Sequence, residues 1–275
     1  MKRITVALFV MLVALMITPL AMAAATTQVV TPEDVAQQPE NTPPTRNWVA
    51  YHRNAGADTF DVGPATPPLG VGSLQLNTPT GADKITVFNY DHVGTQLSDI
   101  DAISYATYRS AGSLQQVAAL NIEVDVNGTA PGGFTTLVFE PVYNTNQGAV
   151  VSGQWQTWDA YNGGNAIWWS SKVIPGVCAF TCYVSWSDIV AANPDAVIVG
   201  GFGVNQGSGN PGLTTSIDAL KLGINGDVVT YNFEPYRVAQ TADDCKNGGW
   251  KQVKRADGSA FKNQGDCIQY VNTGK

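Results

Sequence analysis

The sequence predicts an all-β fold: an antiparallel β-sandwich, jelly-roll-like, with a short disulfide-closed C-terminal appendage. Three observations carry this prediction. Apolar residues recur with a period of two along several runs, Gly- and Asn-rich clusters such as "NGTAPGG", "NTNQG", "YNGGN" and "NQGSGNPG" separate those runs, and almost no stretch has a helical period.

The elements follow in chain order. Residues 1–23, "MKRITVALFVMLVALMITPLAMA", begin with Lys2 and Arg3, continue with an apolar run to Ile17, and end on Pro19 and the small-x-small triplet Ala21, Met22, Ala23. That is the layout of a signal peptide cut after Ala23, and the apolar run is short for a membrane span, which needs ~20 residues. No cysteine follows it to take a lipid. The expectation is a secreted, extracellular chain with no membrane attachment after cleavage. Residues 24–46 are polar, hold four prolines and no aromatic, and show no period. They read as a disordered tether.

Residues 47–238 form the expected sandwich domain. In "ALNIEVDVNG", Leu120, Ile122, Val124 and Val126 alternate with Asn121, Glu123 and Asp125. In "TTLVFEPVYN", Leu137 and Phe139 alternate with Thr136, Val138 and Glu140. "ISYATYRS", "DAVIVGGFGVNQGSG" and "TTSIDALKLG" are strand-like as well. One short helix is expected in "VSWSDIVAANPDA", capped by Ser185 or Ser187 and stopped by Pro194. Residues 239–275 differ in composition and read as a small basic segment.

Charge is uneven. Residues 47–240 hold six Lys/Arg against fifteen Asp/Glu, whereas residues 241–275 hold six against four. An acidic body repels phosphate backbones, which removes nucleic acid from the expected partners. Four cysteines permit three pairings. Proximity in an exported chain favours Cys178–Cys182 and Cys245–Cys267, and the spacings match no zinc finger.

The runs "GTQLSDIDAISYATYRS", "GQWQTWDAYNGGNAIWWSS" and "VGGFGVNQGSGNPGLTTSIDALKLG", with the stretches between them, resemble a module of exported bacterial proteins over nearly all of residues 58–235. The tail, "CKNGGW" followed by "FKNQGDC", is similar to a segment of the form C-K-x-G-G-W…F-x-N-Q-G-x-C that closes many secreted bacterial proteins. Neither resemblance carries a reaction or a catalytic residue. They imply a bacterial extracellular setting and a jelly-roll-like fold of the carbohydrate-binding type.

Hydrolytic chemistry finds little support. The two histidines, His52 and His92, sit near the entry to the body and in a turn, and no G-x-S-x-G occurs. A glycan-active hydrolase could use Glu123, Asp125 and Glu140, since carboxylates flanking a cleft cut glycosidic bonds. "EVDVNG" is similar to the E-x-D-x-x-E strand of laminarinase-like sandwich enzymes, but Gly128 stands at the third carboxylate. No cofactor is expected. Structural calcium is an option, through Asp125 and Asn127 or, by fold analogy, Asp61 and Asp218.

The densest set of special side chains is Trp155, Trp158, Trp168 and Trp169, four of the seven tryptophans. An odd offset reverses a strand side chain, so each close pair sends one indole inward and one outward. The outward ones could stack sugar rings. Alternatively, all four pack. With Tyr108, Arg109, Glu140, Tyr143, Asn205 and Gln206 as flanking partners, these tryptophans are the candidate ligand residues. The function expected is a non-catalytic module for a polysaccharide or a cell-wall or matrix polymer. The alternatives are a structural or adhesive surface protein and the hydrolase above.

Overall fold

A computed structural model describes residues 24–112, 115–128 and 132–275. The signal-peptide segment, residues 1–23, lies outside the described residues. The strands in chain order are β1 (Ala25–Val30), β2 (Val35–Pro39), β3 (Trp48–Arg53), β4 (Ala57–Val62), β5 (Gly72–Thr78), β6 (Lys84–Asn89), β7 (Ile100–Ala111), β8 (Ala119–Asp125) and β9 (Phe134–Phe139). They continue with β10 (Trp155–Asp159), β11 (Ile167–Ser170), β12 (Val184–Ser185), β13 (Val197–Gln206), β14 (Leu213–Ile224), β15 (Asp227–Phe233), β16 (Arg237–Val238) and β17 (Val253–Lys254).

Two large sheets form the layers of an all-β, jelly-roll-like sandwich. The first has seven strands. β14 is central, with β7 and then β10 on one side; on the other, β5 and β4 line its first half and β15 and β1 its second. The second has eight strands in the order β12-β11-β9-β8-β13-β6-β3-β2. The chain crosses between layers repeatedly, at β1–β2, β3–β4, β5–β6, β6–β7, β7–β8, β9–β10, β10–β11 and β13–β14, so the two inner faces are held together covalently as well as by packing.

Alternation sets the core. Leu120, Ile122, Val124, Leu137, Phe139, Phe202 and Val204 from the second sheet meet Leu74, Leu76, Ile103, Tyr105, Ile217, Leu220 and Leu222 from the first. β14 keeps both Ile217 and Leu220 inside because a register shift falls between Asp218 and Lys221, where Ala219 has φ +52°. The expected helix is α1 (Trp186–Ala192), with the Ser185 hydroxyl accepting the Asp188 N–H at 3.2 Å.

The tether expectation for residues 24–46 is overturned. β1 runs parallel to β15, and β2 runs parallel to β3, so this segment adds an edge strand to each sheet and makes both sheets mixed. The turn between them is fixed by Asp34, whose carboxylate accepts the Thr31 N–H at 2.8 Å and its hydroxyl at 2.9 Å. Within these two strands only Val30 and Val35 are buried. Edge pairing of this kind is made by backbone groups, so it leaves little apolar period to read.

Both expected disulfides form, Cys178–Cys182 and Cys245–Cys267, which places folding in an oxidising environment. Among the described residues no helix is long and apolar enough to cross a membrane. The tail has its own small core, in which Cys245, Val253, Phe261 and Cys267 pack beneath α2 (Ala242–Cys245), α3 (Gln264–Thr273) and the β16–β17 ribbon. A bridge closing a loop of this length contributes about 3 kcal/mol on the chain-entropy model. The double variant Cys245→Ser/Cys267→Ser is therefore expected to expose residues 239–275 to limited proteolysis while the sandwich melts within ~2 °C of its original midpoint. Equal protection of the tail in both proteins would refute that separation.

Candidate functional site: a groove on the outer face of the second sheet

Outward-facing residues of the second sheet line up in rungs. One rung reads Tyr51 (β3), Thr86 (β6), Asn205 (β13), Ala119 (β8); the next reads Val49, Phe88, Gly203, Asn121, Val138, Trp169. The middle strand of this row has almost no side chains. A Cβ at Gly203 would lie 2.1 Å from the Val87 carbonyl oxygen, and one at Gly201 would lie 2.2 Å from the Phe88 ring. Glycine there lets β13 sit low between taller neighbours, which produces a furrow.

Two depressions occupy that furrow, of about 610 and 470 Å³, and both are lined by Lys84, Asn121 and Thr136. The first ends at Tyr51, Phe88 and Tyr90, the second at Trp169 and Phe180. From β3 to β11 the row covers five strand spacings, roughly 24 Å at ~4.8 Å each. At one end Tyr51 and Tyr90 share a hydroxyl–hydroxyl hydrogen bond of 2.9 Å, and Phe88 and Tyr90 meet edge to face at 6.4 Å. At the other, Phe180 lies 5.6 Å from Trp169 at 40° and is 58% exposed. Phe180 sits inside the Cys178–Cys182 ring with φ +61°, a backbone region uncommon for a bulky side chain. The short disulfide loop thus presents an aromatic ring over the groove's end.

Polar groups occupy the floor between the rings. Glu123 Oε2 accepts the Gly201 N–H at 2.8 Å, and Glu140 Oε2 accepts the Trp169 indole N–H at 2.8 Å. Burial pushes both carboxyls above the usual carboxylate range, against the Gly201 and Trp169 donors and, for Glu123, against the Lys84 charge. Lys84 and Arg53 both pair with Glu40, each at 2.6 Å. Burial works to raise the Glu40 carboxyl, but these two cations outweigh it and hold it low. The Thr86 hydroxyl donates to Asn205 Oδ1 at 2.9 Å. Asn121 is more than nine-tenths buried, and its Oδ1 has no hydrogen-bond partner. A buried amide oxygen left unpaired is costly, so Asn121 marks a place where a donor from outside would be welcome.

The sequence candidates divide. Trp169, Glu140, Asn205 and Gln206 all line the second depression. Trp158 and Trp168 do not serve a ligand, because both are fully buried: Trp158 donates to the Thr107 hydroxyl and Trp168 to the Ala160 carbonyl. Arg109 is corrected likewise; it is 1% exposed and holds the Ser152 hydroxyl at 2.8 Å. Trp155 and Tyr108 face outward together, 5.7 Å apart, but on the other sheet, where the Trp155 indole N–H is tied to the Pro64 carbonyl. Tyr143 stacks on Tyr183 at 4.3 Å and lines neither depression. Sequence reasoning missed Tyr51, Phe88, Tyr90 and Phe180, and cast Asn121 only as a polar strand position. The signal was present in "WVAYHR" and "ITVFNY", where apolar residues fall on both parities of the strand.

The carboxylates proposed for hydrolysis do not converge. Glu123 pairs with Thr136, so Glu140 lies four residues further along β9, about 13 Å away at ~3.3 Å per residue. Glu123 lines the first depression and Glu140 the second, so the two do not flank one cleft as a glycosidase pair does. Asp125 lies outside the groove lining and accepts the Asn127 N–H at 2.8 Å in a turn.

Calcium does not fit Asp61 and Asp218 either. Asp218 takes the Leu69 N–H on Oδ2 at 2.7 Å and the Phe233 N–H on Oδ1 at 3.2 Å, so donors already face both oxygens. Asp61 is exposed and stands two strands away, with Ser73 between them. Among the described residues no group of three or more His, Cys, Asp and Glu is arranged to hold a metal. Neither family models nor curated proteins yield a match to the chain.

Proposed function

We propose that the chain is an extracellular, non-catalytic carbohydrate-binding module, secreted into an oxidising compartment, and that it holds a polysaccharide along the groove of the second sheet. One observation carries the reading: aromatic faces stand at both ends of a long furrow whose floor holds Asn121, Asn205, Glu123 and Glu140. Sugar rings offer C–H faces that stack on aromatic planes and hydroxyls that hydrogen-bond to amides and carboxylates, which is the mixture a binding cleft of this type supplies. The unpaired Asn121 oxygen supports a ligand that brings hydroxyl donors. The wide spacing of Glu123 and Glu140 favours holding over cutting.

The test is a glycan array or polysaccharide pull-down read alongside tryptophan fluorescence. Trp169→Ala and Asn121→Ala are each expected to weaken binding at least ~10-fold, about 1.4 kcal/mol. Trp155→Ala, on the opposite sheet, should leave it unchanged. Indifference to every polymer, with fluorescence unmoved, would remove the reading.

A further inference from the structure

Resting on that reading, we infer the class of glycan: the groove takes neutral, hydroxyl-rich polymers and rejects anionic ones such as polyuronates and sulfated chains. The floor is rich in acceptors, and the cations that line the groove, Lys84 and Arg53, stand at one edge beside Glu40. Glu123 and Glu140 each have one oxygen held by an N–H, and among the described residues neither carboxylate has an ion-pair partner. The two cations at the edge share one carboxylate. Lys84 Nζ lies 2.6 Å from Glu40 Oε1, and Arg53 grips the same carboxylate through Nε at 2.6 Å and Nη2 at 3.1 Å. Asn121, more than nine-tenths buried and on the same strand as Glu123, adds the unpaired Oδ1.

Hydroxyls spaced along a neutral chain can donate to Glu123 in the first depression and to Glu140 in the second. A ligand carboxylate or sulfate can only accept, and it would stand beside a partly desolvated carboxylate, Glu123 or Glu140, that has no ion-pair partner among the described residues. Juxtaposed like charges at a water-poor site are strongly unfavourable, and discrimination rests on such rejection as much as on attraction.

The experiment is affinity electrophoresis of the full chain at about 150 mM salt. The neutral panel is laminarin, xylan and glucomannan; the anionic panel is polygalacturonate, alginate and chondroitin sulfate. At least one neutral polymer should bind, and every anionic polymer should bind at least ~100-fold more weakly. The double variant Glu123→Gln/Glu140→Gln keeps an acceptor for the Gly201 and Trp169 N–H groups, and it should narrow that gap at least ~10-fold. If the double variant misfolds by circular dichroism, Glu140→Gln alone should narrow the gap in the same direction. Tight binding of an anionic polymer that Asn121→Ala abolishes would overturn the charge inference while the groove survives. So would a gap unmoved by the glutamine variants. Binding of no polymer, or binding insensitive to both Asn121→Ala and Trp169→Ala, would instead take down the groove reading and this inference with it.

Discussion

Trp168→Ala should destabilise the protein by about 3–5 kcal/mol, the range for truncating a large aromatic in a packed core. For a domain of this size that is a drop of roughly 6–20 °C in melting temperature. Trp168 is fully buried, packed between Phe139 at 5.5 Å and Trp186 at 5.3 Å, and its indole N–H satisfies the Ala160 carbonyl at 2.9 Å. Truncation opens a cavity between the layers and orphans that carbonyl at once. Trp169→Ala, one residue on, removes a half-buried ring from the outer face and breaks the bond to Glu140; it should cost about 1 kcal/mol. Calorimetry of the two variants side by side checks the assignment of layers. If Trp169→Ala proved the more damaging, the inward and outward roles would have to be exchanged.

That pair of residues also shows how far the sequence could be read. Parity within a strand is local, so the split of Trp155 from Trp158 and of Trp168 from Trp169 follows from the period of two, and the burial of Trp158 and Trp168 agrees with it. Which sheet each outward indole belongs to is not local. β10 joins β7 and β11 joins β9, because the chain crosses between layers in residues 160–166. The two outward tryptophans therefore stand on opposite sides of the sandwich and form no common platform.

The groove was hidden for the same reason. Gly201 and Gly203 become a floor only once β13 is known to lie between β8 and β6, and no run of residues announces that order. The strands of the body were legible because burial on one face writes an alternating pattern. β1 and β2 were not, because edge strands buried at one or two positions write almost none.

The second large effect is on the pH dependence of stability. The protein is expected to gain stability between pH 8 and pH 5, chiefly through Asp218. Burial pushes this carboxyl up from 3.8 to about 7, despite backbone N–H donors from Ala219, Leu69 and Phe233, and the nearby Glu234 charge raises it further. The folded state therefore binds a proton more tightly than the unfolded chain between about pH 4 and pH 7. Unfolding releases it, so stability rises as pH falls through that window. A shift of about three units corresponds to something on the order of 4 kcal/mol at full protonation. Glu123, Glu140 and Glu234 are displaced upward as well and add in the same sense. His52, raised chiefly by its hydrogen bond to Asp58, contributes stability that is lost as pH rises through its folded value. His92, held low by burial, opposes the trend, and carboxylates held low, such as Glu40, Asp244 and Asp266, withdraw support only at still lower pH. Thermal melts at pH 8, 6.5 and 5 should rise stepwise, and Asp218→Asn should flatten that slope. A midpoint that stays level or falls from pH 8 to 5 in the unsubstituted protein would mean that Asp218 is already charged in the fold, held by its backbone donors more firmly than burial opposes them.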